Sequence, residues 1–595
     1  MTFRNYILVC GGTACESSKA DDIYQALLSE SKKQGVENEV QIVKTGCFGF
    51  CEQGPIVKIL PEDSFYVQIK PEDAQELIAE HVIKGREVKR LLYNKEGKTK
   101  HTKVEDIEFY QKQYRIVLRN CGFIDPENID EYIAREGYAA LEKVLFEMSS
   151  DDVIGELRES NLRGRGGAGF PTWMKWNFTR QAKGDLKYIV VNADEGDPGA
   201  YMDRSTLEGD PHSVLEAMAI AGKTVGSNHG FIYIRAEYPL AIRRLEIAMA
   251  QAREYGLLGE NILGSGFDFD VEIRLGAGAF VCGEETALLA SIEGSRGTPV
   301  PRPPFPAVKG LWGKPTVINN VETWANIPVI ILKGGNWFSK IGTEDSHGTK
   351  VFALTGKIRN SGLVEVPMGT TLREIIYDIG GGIANGKEFK AVQTGGPSGG
   401  VITKEFLDTP IDFGSLTKLG SMMGSGGMIV MDEDDCIVDV AKFYLNFTVD
   451  ESCGKCAPCR IGGRSLANLL EKITKGNGEL ADLDQMVEIG EAMKKASLCA
   501  LGQTAPNPIL STLHFFRDEY LAHVVDKKCP AGKCKSLVSY YILEDKCIGC
   551  TACARKCPTA AISGERREVH VIDQAACIKC GVCFETCKFG AIEVR

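Results

Sequence analysis

Two cysteine runs near the end of the chain decide how its last segment folds. The first reads Cys547-Ile-Gly-Cys550-Thr-Ala-Cys553-Ala-Arg-Lys-Cys557-Pro558, and the second reads Cys577-Ile-Lys-Cys580-Gly-Val-Cys583-Phe-Glu-Thr-Cys587. Three closely spaced thiolates wrap one corner of an iron–sulfur cube, and steric limits send the fourth cysteine to a second cube. The repeat therefore predicts a ferredoxin-like module over residues 539–595 that holds two [4Fe–4S] clusters.

The two runs are expected to exchange their last cysteines between the clusters. One predicted ligand set is Cys547, Cys550, Cys553 and Cys587, and the other is Cys557, Cys577, Cys580 and Cys583. Zinc is the alternative metal, but zinc sites rarely use a doubled spacing of this kind. Lys588 stands where a proline usually follows the second run, a change that leaves all eight ligands in place.

Length and composition indicate a large globular protein. The chain has 595 residues, of which 44% are hydrophobic and 25% are charged, and such a length suggests about three to five domains. The net charge of −11 argues against nucleic acid as a main partner, because nucleic-acid binding usually requires a basic face. No apolar run reaches the ~18 residues of a membrane span, and no signal peptide pattern is present. We therefore expect a cytoplasmic protein without a membrane span.

The cysteine content points to metal binding rather than to disulfides. The chain has 21 cysteines, and most of them stand in tight clusters. A disulfide scaffold is the alternative, but disulfide-rich domains are typically small and secreted. In a reducing compartment, clustered cysteines are usually metal ligands.

The N-terminal segment places four cysteines in loops after two predicted strands. Cys10 and Cys15 follow the strand at residues 6–10, and Cys47 and Cys51 follow the strand at residues 39–45. Four sulfurs at neighbouring strand ends suit either a [2Fe–2S] cluster or a structural zinc ion. The layout resembles the thioredoxin-like [2Fe–2S] ferredoxins, which include a small subunit of respiratory complex I. The resemblance implies a thioredoxin-like [2Fe–2S] domain over residues 1–90. Residues 84–103 are charged and contain glycine, and we interpret them as a linker.

A second cysteine group lies in a stretch with helical periodicity, residues 436–525. It comprises Cys453, Cys456 and Cys459 at close spacing, with Cys499 farther along the chain. This pattern suits one [4Fe–4S] cluster held between helices, and zinc is the alternative.

Five cysteines remain outside these groups. We hypothesise a structural zinc site made by Cys436, His523, Cys529 and Cys534, with His514 as a competing ligand. The alternative is a set of ordinary buried thiols. Cys121 and Cys282 are interpreted as core residues.

The middle of the chain reads as an α/β layer over residues 105–335, followed by a β-grasp-like unit over residues 349–434. The apolar runs at residues 188–191 and 230–234 end near polar or glycine-rich turns, a pattern that predicts a site at the strand ends. Gly164-Arg165-Gly166-Gly167-Ala-Gly169 matches a phosphate-binding pattern, but no clear strand leads into it, so a standard Rossmann site is not expected.

Further motifs surround this glycine run. Aromatic residues and Lys175 follow it closely, the carboxylate pairs Asp194-Glu195 and Glu284-Glu285 suit ribose hydroxyls, and the asparagines at positions 192, 319 and 320 suit a flavin edge. In this order the motifs resemble the flavin- and NADH-binding subunit of complex I and its relatives in soluble hydrogenases and formate dehydrogenases. The resemblance covers residues 121–499.

The resemblance implies FMN and NAD(H) sites. The residues expected to bind FMN, NAD(H) or both are Gly164, Arg165, Gly166, Gly167, Phe170, Lys175, Phe178, Asn192, Asp194, Glu195, Gly283, Glu284, Glu285, Asn319, Asn320 and Thr323. Phe170 and Phe178 correspond to adenine-stacking positions, and Glu285 to a nicotinamide nucleotide contact. Glu285, Lys175 and Asp197 are expected to take part in catalysis. Asp197 and Phe280 stand where the complex I branch commonly has Glu and Tyr, so the choice between NAD and NADP stays open.

The parts predict an oxidoreductase. Hydride transfer moves two electrons whereas iron–sulfur clusters pass one, and a flavin converts between the two. The domain order resembles the β subunit of NAD-linked, electron-bifurcating [FeFe]-hydrogenases. This implies FMN, one [2Fe–2S] cluster and three [4Fe–4S] clusters, with a catalytic hydrogenase subunit, a small [2Fe–2S] subunit and ferredoxin as partners. The alternatives are the β subunit of an NAD(P)-linked formate dehydrogenase, an NADP-reducing hydrogenase, and a non-catalytic electron-relay scaffold.

Overall fold

A computed structural model describes residues 3–95, 99–101 and 103–594. The chain divides between Val430 and Met431 into two compact units. Each unit has buried apolar clusters of its own. Every helix in the described ranges is too short or too polar to cross a membrane.

The first unit begins with a four-stranded sheet. Its strands, in spatial order, are Val40–Thr45, Asn5–Cys10, Val57–Leu60 and Ser64–Tyr66. The first two strands are parallel and the other pairings are antiparallel. The helical segments that accompany the sheet are Thr13–Ser17, Ala20–Lys33, Cys51–Gln53, Pro71–Asp73, Ala74–Glu76 and Leu77–Ile83. Cys10 pairs with Thr45, so the loops that carry both cysteine pairs leave the sheet at one edge.

The expectation of a linker at residues 84–103 is wrong for its described part. Val88, Leu91 and Leu92 are buried in the apolar cluster of the N-terminal sheet. Strands Tyr93–Lys95 and Thr99–His101 then form an antiparallel hairpin, while residues 96–98 and 102 lie outside the described residues. Three apolar side chains inside the charged stretch are enough to tie it to the sheet, since burying each stabilises the fold by roughly 1.5–3 kcal/mol.

A parallel four-stranded sheet forms the centre of the first unit. Its strands, in spatial order, are Thr316–Asn320, Tyr188–Ala193, His229–Arg235 and Asp270–Gly276. The helices of this region are Glu108–Gln111, Ile129–Ile133, Ala139–Phe146, Ser150–Ser160, Thr172–Gln181, Met202–Gly209, Pro211–Val225, Pro239–Glu254, Glu285–Ile292, Pro306–Lys309, Val321–Lys333 and Gly335–Ser339, with single turns at Val104–Asp106, Ile262–Gly264, Phe280–Gly283 and Leu311–Gly313. Because all four strands are parallel, the loops at their carboxyl ends meet along one edge.

A five-stranded sheet follows where the sequence predicts a β-grasp-like unit. Its strands, in spatial order, are Gly362–Pro367, Thr349–Gly356, Gly427–Asp432, Phe389–Thr394 and Val401–Thr403. The helical segments are Glu374–Ile379, Ala384–Gly386, Gly396–Ser398, Lys404–Phe406 and Phe413–Lys418. Leu363 donates its backbone N–H to the carbonyl of Gly49 at 2.7 Å, which joins this sheet to the N-terminal cysteine loop.

The N-terminal domain packs closely on both the parallel-sheet domain and the five-stranded sheet. A Cβ atom at Gly46 would lie 2.5 Å from the Cα of Gly209, and one at Gly362 would lie 1.9 Å from the carbonyl oxygen of Gly49. Thr13 adds a hydrogen bond of 2.7 Å from its hydroxyl to the carboxylate of Glu208. Only glycine fits such backbone approaches, so these contacts define where the domain sits.

The second unit begins with a helical domain. Its helices are Ile437–Glu451, Gly463–Thr474, Leu480–Ala496, Ala500–Thr504, Asn507–Phe515 and Arg517–Val524, and Pro458–Gly462 leads directly into the second of them. Leu445, Leu470, Met486 and Ile509 are among the buried residues between these helices.

The end of the chain repeats one small motif. Each cysteine run contains a short helix, Ala552–Lys556 in the first and Val582–Thr586 in the second. Two antiparallel strand pairs accompany them, Tyr540–Ile542 with Ile592–Val594, and Ile562–Ser563 with Val571–Ile572. Lys535–Leu537 forms a single turn before the repeat. The core here consists of isoleucines and cysteines, so metal ligands supply much of the interior.

Candidate functional site

The carboxyl edge of the parallel sheet gathers the motifs that the sequence singles out. Asn192 and Asn320 stand directly opposite each other at the ends of neighbouring strands. Asn192 donates its amide to the carbonyl of Gly283 at 2.8 Å and accepts the backbone N–H of Asp194 at 3.1 Å. These bonds bring the segments that carry positions 192–194, 283 and 320 to one place.

The glycine run forms a tight turn against the start of a helix. Gly164 donates its N–H to the carbonyl of Phe170 at 2.9 Å, and Gly167 has a positive φ of 118°. A Cβ atom at Gly166 would lie 3.2 Å from that of Asn320, the residue that caps helix Val321–Lys333. A helix N-terminus beside a glycine turn suits a phosphate, because backbone N–H groups and the helix dipole both favour anions. The cradle therefore fits the phosphate of FMN.

Lys175 and Glu285 form a charged group with Arg302. The sequence analysis predicted the first two as site residues but not Arg302. The Lys175 ammonium lies 3.3 Å from one carboxylate oxygen of Glu285, and Arg302 contacts the other oxygen. Burial alone would raise the pKa of Glu285, but the two cations outweigh it and lower the pKa below its usual value. Glu285 is thus an ionised acceptor with 18% of its side chain exposed, a form suited to hydroxyl groups of a nucleotide.

Asp197 is half-buried against two glycine-rich loops of the five-stranded sheet. It accepts a hydrogen bond of 2.6 Å from the hydroxyl of Ser425, and a Cβ atom at Gly396 would lie 2.9 Å from its carboxyl group. Burial raises the pKa of Asp197 to about 6. This value is well above the pKa of an ordinary aspartate.

Two phenyl rings beside the glycine turn face solvent. Phe170 is 42% exposed at the end of the glycine run, and Phe178 is 45% exposed on helix Thr172–Gln181. Exposed aromatic rings beside a phosphate cradle offer flat faces on which a base can stack.

Three of the residues predicted to bind a cofactor also have structural roles. The buried guanidinium of Arg165 donates to the carbonyls of Thr349, Arg163 and His347, and its N–H donates to Thr323 Oγ1. The Glu195 carboxylate accepts the N–H groups of Asp203 and Arg204 at the start of helix Met202–Gly209. The Glu284 carboxylate accepts the N–H groups of Thr286 and Ala287 and caps helix Glu285–Ile292. These bonds give all three side chains a part in holding the fold, and the expectation that they also bind a cofactor stays a prediction.

Two further predicted ligands support the cradle from behind. Thr323 donates its N–H to Asn320 Oδ1 at 3.0 Å. Asn319 is buried, with its amide placed to accept from the indole of Trp176 at 3.0 Å and to donate to the carbonyl of Ile318. Both side chains hold neighbouring groups in position.

A network of buried hydrogen bonds and one ion pair lies behind the glycine turn, and the sequence analysis did not predict it. The Asn320 amide donates to Asp203 at 2.7 Å, and the neighbouring Glu322 pairs with Lys350 of the five-stranded sheet. Lys350 also donates to the carbonyl of Ser425 at 2.6 Å. The only available signals were charged residues inside apolar runs and the glycine-rich sequence at positions 420–427, neither of which identifies a partner.

The four cysteines of the N-terminal domain lie together beneath its sheet edge. Cys10, Cys15 and Cys47 are buried and Cys51 is half-buried. Hydrogen bonds with the Cys15 and Cys47 thiols lower the pKa of Cys10 well below its usual value. Gly49 donates its N–H to Cys47 Sγ at 3.3 Å. Converging sulfurs with amide donors fit a [2Fe–2S] cluster.

The helical domain of the second unit brings its own four cysteines together. Burial raises the pKa of the Cys459 thiol, and the nearby thiols of Cys456, Cys499 and Cys453 raise it further. Ser452 Oγ lies 3.3 Å from Cys459 Sγ. This donor set fits one [4Fe–4S] cluster, because the iron ions would offset the repulsion between closely spaced thiolates.

One cavity at the end of the chain carries the exchanged ligand set. Its walls include four cysteines, one from the first run and three from the second: Cys557, Cys577, Cys580 and Cys583. In the other set, the thiols of Cys550 and Cys547 lie close enough to Cys553 to raise its pKa, although burial is the larger cause. Cys587 accepts the N–H of Ala591 at 3.4 Å. The cavity has the donor chemistry of a [4Fe–4S] site.

The hypothesised zinc ligands converge as well. Sγ of Cys436 lies 3.4 Å from Nε2 of His523 and 3.8 Å from Sγ of Cys534. With Cys529 these residues form a fully buried group whose ligand atoms lie within 4.8 Å of one another. His523 Nδ1 bonds the carbonyl of Glu519 at 2.7 Å, which orients the ring as in many zinc sites. Three thiols and one imidazole fit Zn²⁺. Cys121 and Cys282 are buried, as predicted for core residues.

Family models match five stretches of the chain. They are described as thioredoxin-like [2Fe–2S] ferredoxin (residues 2–81), Nuo51 FMN-binding domain (157–329), SLBB domain (351–402), NADH-ubiquinone oxidoreductase-F iron–sulfur binding region (439–523) and 4Fe–4S dicluster domain (546–591). The matches confirm the predicted multidomain fold class. The exact domain boundaries and ligand residues stay predictions.

Known relatives agree with these models. NADP-reducing hydrogenase subunit HndC of Solidesulfovibrio fructosivorans is 62% identical over 482 residues, which are 81% of this chain and 98% of that protein. The F 2 subunit of the NADH-quinone oxidoreductase of Rhizobium meliloti (strain 1021) is 47% identical over 415 residues, or 70% of this chain and 99% of that protein.

A solved structure matches most of the chain. The crystal structure of an NAD+-reducing [NiFe]-hydrogenase in the H2-reduced state has a TM-score of 0.62 and 28% identity, with 88% of this chain and 85% of that chain covered. The predicted resemblance to the flavoprotein subunit is thereby confirmed, together with its class of enzyme. The chain belongs to the family of FMN-binding flavoprotein subunits, iron–sulfur oxidoreductases that form the NADH dehydrogenase module of hydrogenases and of complex I.

Proposed function

We propose that the chain is the NAD(H)-converting flavin and iron–sulfur subunit of an electron-bifurcating hydrogenase that couples NAD(H), ferredoxin and H2. The observation that carries this proposal is the combination of an FMN cradle with a duplicated eight-cysteine module in one chain. The flavin site serves a two-electron carrier, and the duplicated module offers a separate route for single electrons. Two relatives named as hydrogenases support the choice of complex.

The cofactors follow from the donor sets. We infer one FMN and one NAD(H) at the carboxyl edge of the parallel sheet. We infer one [2Fe–2S] cluster on Cys10, Cys15, Cys47 and Cys51, and one [4Fe–4S] cluster on Cys453, Cys456, Cys459 and Cys499. Two more [4Fe–4S] clusters belong to the exchanged sets of the terminal module, and Zn²⁺ belongs to Cys436, His523, Cys529 and Cys534.

The side chains at the flavin site have separate tasks. Bound FMN supplies the conversion between hydride and single electrons. The glycine turn and the start of helix Val321–Lys333 bind the phosphate, and Asn192 and Asn320 set the flavin edge. Phe170 and Phe178 stack on the adenine, while ionised Glu285 accepts hydrogen bonds from hydroxyl groups of the nucleotide. Half-buried Asp197 keeps a carboxyl group of raised pKa beside the site.

The partners are a catalytic hydrogenase subunit, a small [2Fe–2S] subunit and ferredoxin. A cytoplasmic location is part of the same proposal, because NAD(H) and ferredoxin are cytoplasmic electron carriers.

The test uses the complete hydrogenase complex under strictly anaerobic conditions. With H2 as donor, we expect NAD+ and ferredoxin to be reduced together in a fixed ratio, and neither to be reduced at a comparable rate without the other. Independent reduction of each carrier would refute bifurcation. The variant Cys580→Ala removes one ligand of the terminal module and is expected to abolish ferredoxin-linked turnover while diaphorase activity with an artificial acceptor persists.

Two other functions are distinguished by the same preparation. The similarity to an NADP-reducing hydrogenase subunit favours NADP as the second candidate substrate, and the ratio of kcat/KM for NADH and NADPH decides between them. A formate dehydrogenase partner would be identified by formate-dependent NAD+ reduction. A non-catalytic scaffold would release no FMN on denaturation, whereas the proposed enzyme releases about one per chain.

A further inference from the structure

Tyr201 of the flavin domain reaches a cysteine of the N-terminal domain. Its hydroxyl donates a hydrogen bond to Sγ of Cys51 across 3.6 Å, within the sulfur hydrogen-bond range. Tyr201 ends the loop that carries Asp194 and Asp197 after strand Tyr188–Ala193, and it immediately precedes helix Met202–Gly209. One short loop therefore contacts both the flavin site and a sulfur of the neighbouring domain.

The other sulfurs of this group are bonded differently. Cys47 Sγ receives the backbone N–H of Gly49, and Cys10 receives backbone N–H groups of Gly12 and Phe48. Those donors belong to the same domain as the cysteines and are present whenever that domain folds. The Tyr201 hydroxyl is instead a side-chain donor supplied by the flavin domain.

The contact lies in an apolar setting. Tyr201 and Cys51 are half-buried and pack against buried Met202, Val351 and Leu363, which come from the flavin domain and the five-stranded sheet. Arg204 lies near the same sulfur, and its guanidinium stands 5.9 Å from the Tyr201 ring. A hydrogen bond in such a low-dielectric environment is electrostatically stronger than one in water.

We propose that Tyr201 sets the reduction potential of the [2Fe–2S] cluster by donating a hydrogen bond to the Cys51 thiolate, an inference that rests on the ligand set proposed above. Reduction adds one negative charge to a cluster, and a donor at a ligand sulfur stabilises that added charge. Tyr201 therefore holds the potential higher than the N-terminal domain would set it alone. It is a positioning residue that acts through Cys51 and does not itself accept electrons.

The test is the variant Tyr201→Phe in the complete chain. It removes the hydroxyl and keeps the ring that packs beside Met202. In an EPR-monitored redox titration we expect the midpoint of the [2Fe–2S] signal to become more negative. A loss of about tenfold in the equilibrium constant for reduction corresponds to 59 mV for one electron.

Tyr110→Phe is the matched control. Tyr110 is a half-buried phenol close enough to Cys47, Cys10 and Cys51 for their charges to raise its pKa, although burial is the larger cause. Its hydroxyl donates to the carbonyl of Phe48 at 3.1 Å rather than to a sulfur. We expect this variant to leave the midpoint in place.

Several outcomes overturn the inference. An unchanged midpoint in Tyr201→Phe does so, and so does an equal shift in Tyr110→Phe. If Tyr201→Phe fails to assemble, 3-fluorotyrosine at position 201 is a stronger donor and must shift the midpoint to more positive values, and no shift overturns the inference. A [2Fe–2S] signal that persists unaltered in Cys51→Ala refutes the ligand set itself, a failure distinct from that of Tyr201.

Discussion

The ion pair between Lys350 and Glu322 is expected to be the most sensitive electrostatic contact of the flavin domain. The exposed fraction is 0% for the lysine side chain and 1% for the glutamate side chain. Lys350 also donates to the carbonyls of Val351 at 2.8 Å and Ser425 at 2.6 Å. Glu322 accepts the N–H of Val351 at 3.0 Å. The change Lys350→Met removes the ammonium and leaves the carboxylate buried with one backbone donor.

The expected cost follows from the burial of both partners. Removing one partner of a fully buried pair typically destabilises a protein by about 3–5 kcal/mol, because the remaining charge has lost its compensation. In a domain of this size, 1 kcal/mol corresponds to roughly 2 °C in the unfolding midpoint. We therefore expect Lys350→Met to lower the apparent midpoint of the flavin domain by about 6–10 °C.

The assay is differential scanning calorimetry of the full chain at one fixed scan rate. The double variant Lys350→Met/Glu322→Met removes both charges and should recover most of the loss, since apolar replacements of buried pairs are often neutral. Lys404→Met breaks an exposed pair with Glu388 and is the control that should change little. A Lys350→Met midpoint within about 2 °C of the parent, or a double variant as unstable as the single one, would refute the reasoning.

Three further outcomes are expected. Glu285→Gln should raise KM for the nucleotide about tenfold, the effect of ~1.4 kcal/mol of lost binding, while FMN content stays constant. Because folding raises the Asp197 pKa to about 6, the folded state binds more protons than the unfolded state between about pH 4 and 6. Stability contributed by this group therefore falls as pH rises through that window, and Asp197→Asn should make the fall of the melting midpoint with pH shallower than in the parent. His523→Ala should remove about one zinc ion per chain from the metal content.

Each of these outcomes has a clear opposite. An unchanged KM in Glu285→Gln would show that this carboxylate does not contribute to nucleotide binding. Parallel pH profiles for the parent and Asp197→Asn would show that the carboxyl group does not titrate in that window. Equal zinc content in the parent and in His523→Ala, with equal iron content, would refute the zinc site. Cys436, Cys529 and Cys534 would then be ordinary buried thiols.

The sequence predicted the iron–sulfur domains, which the family models match, because their chemistry is local. Cysteines two or three positions apart must share a metal or a core, so spacing alone groups Cys547, Cys550 and Cys553. Similarly, the strand and helix patterns predicted that loops rich in charged residues and glycine would meet at one edge of a sheet.

The sequence patterns could not predict contacts between segments that are far apart in the chain. Lys350 and Glu322 are 28 positions apart, and Tyr201 and Cys51 are 150 positions apart. A charged residue inside a strand does not identify its partner. The sequence likewise did not show that the side chains of Arg165, Glu195 and Glu284 bond to backbone groups of distant or neighbouring segments. The prediction of a linker at residues 84–103 was wrong for a related reason. A few apolar residues pack on the N-terminal sheet although most of the segment is charged.

The glycine contacts between domains have a consequence for electron transfer. Gly46 against Gly209 and Gly49 against Gly362 leave no room for even a methyl group. A side chain at any of these positions would have to move the two domains apart. Because tunnelling between redox centres slows steeply as their separation grows, we expect such a change to slow any electron transfer between the proposed FMN and [2Fe–2S] sites.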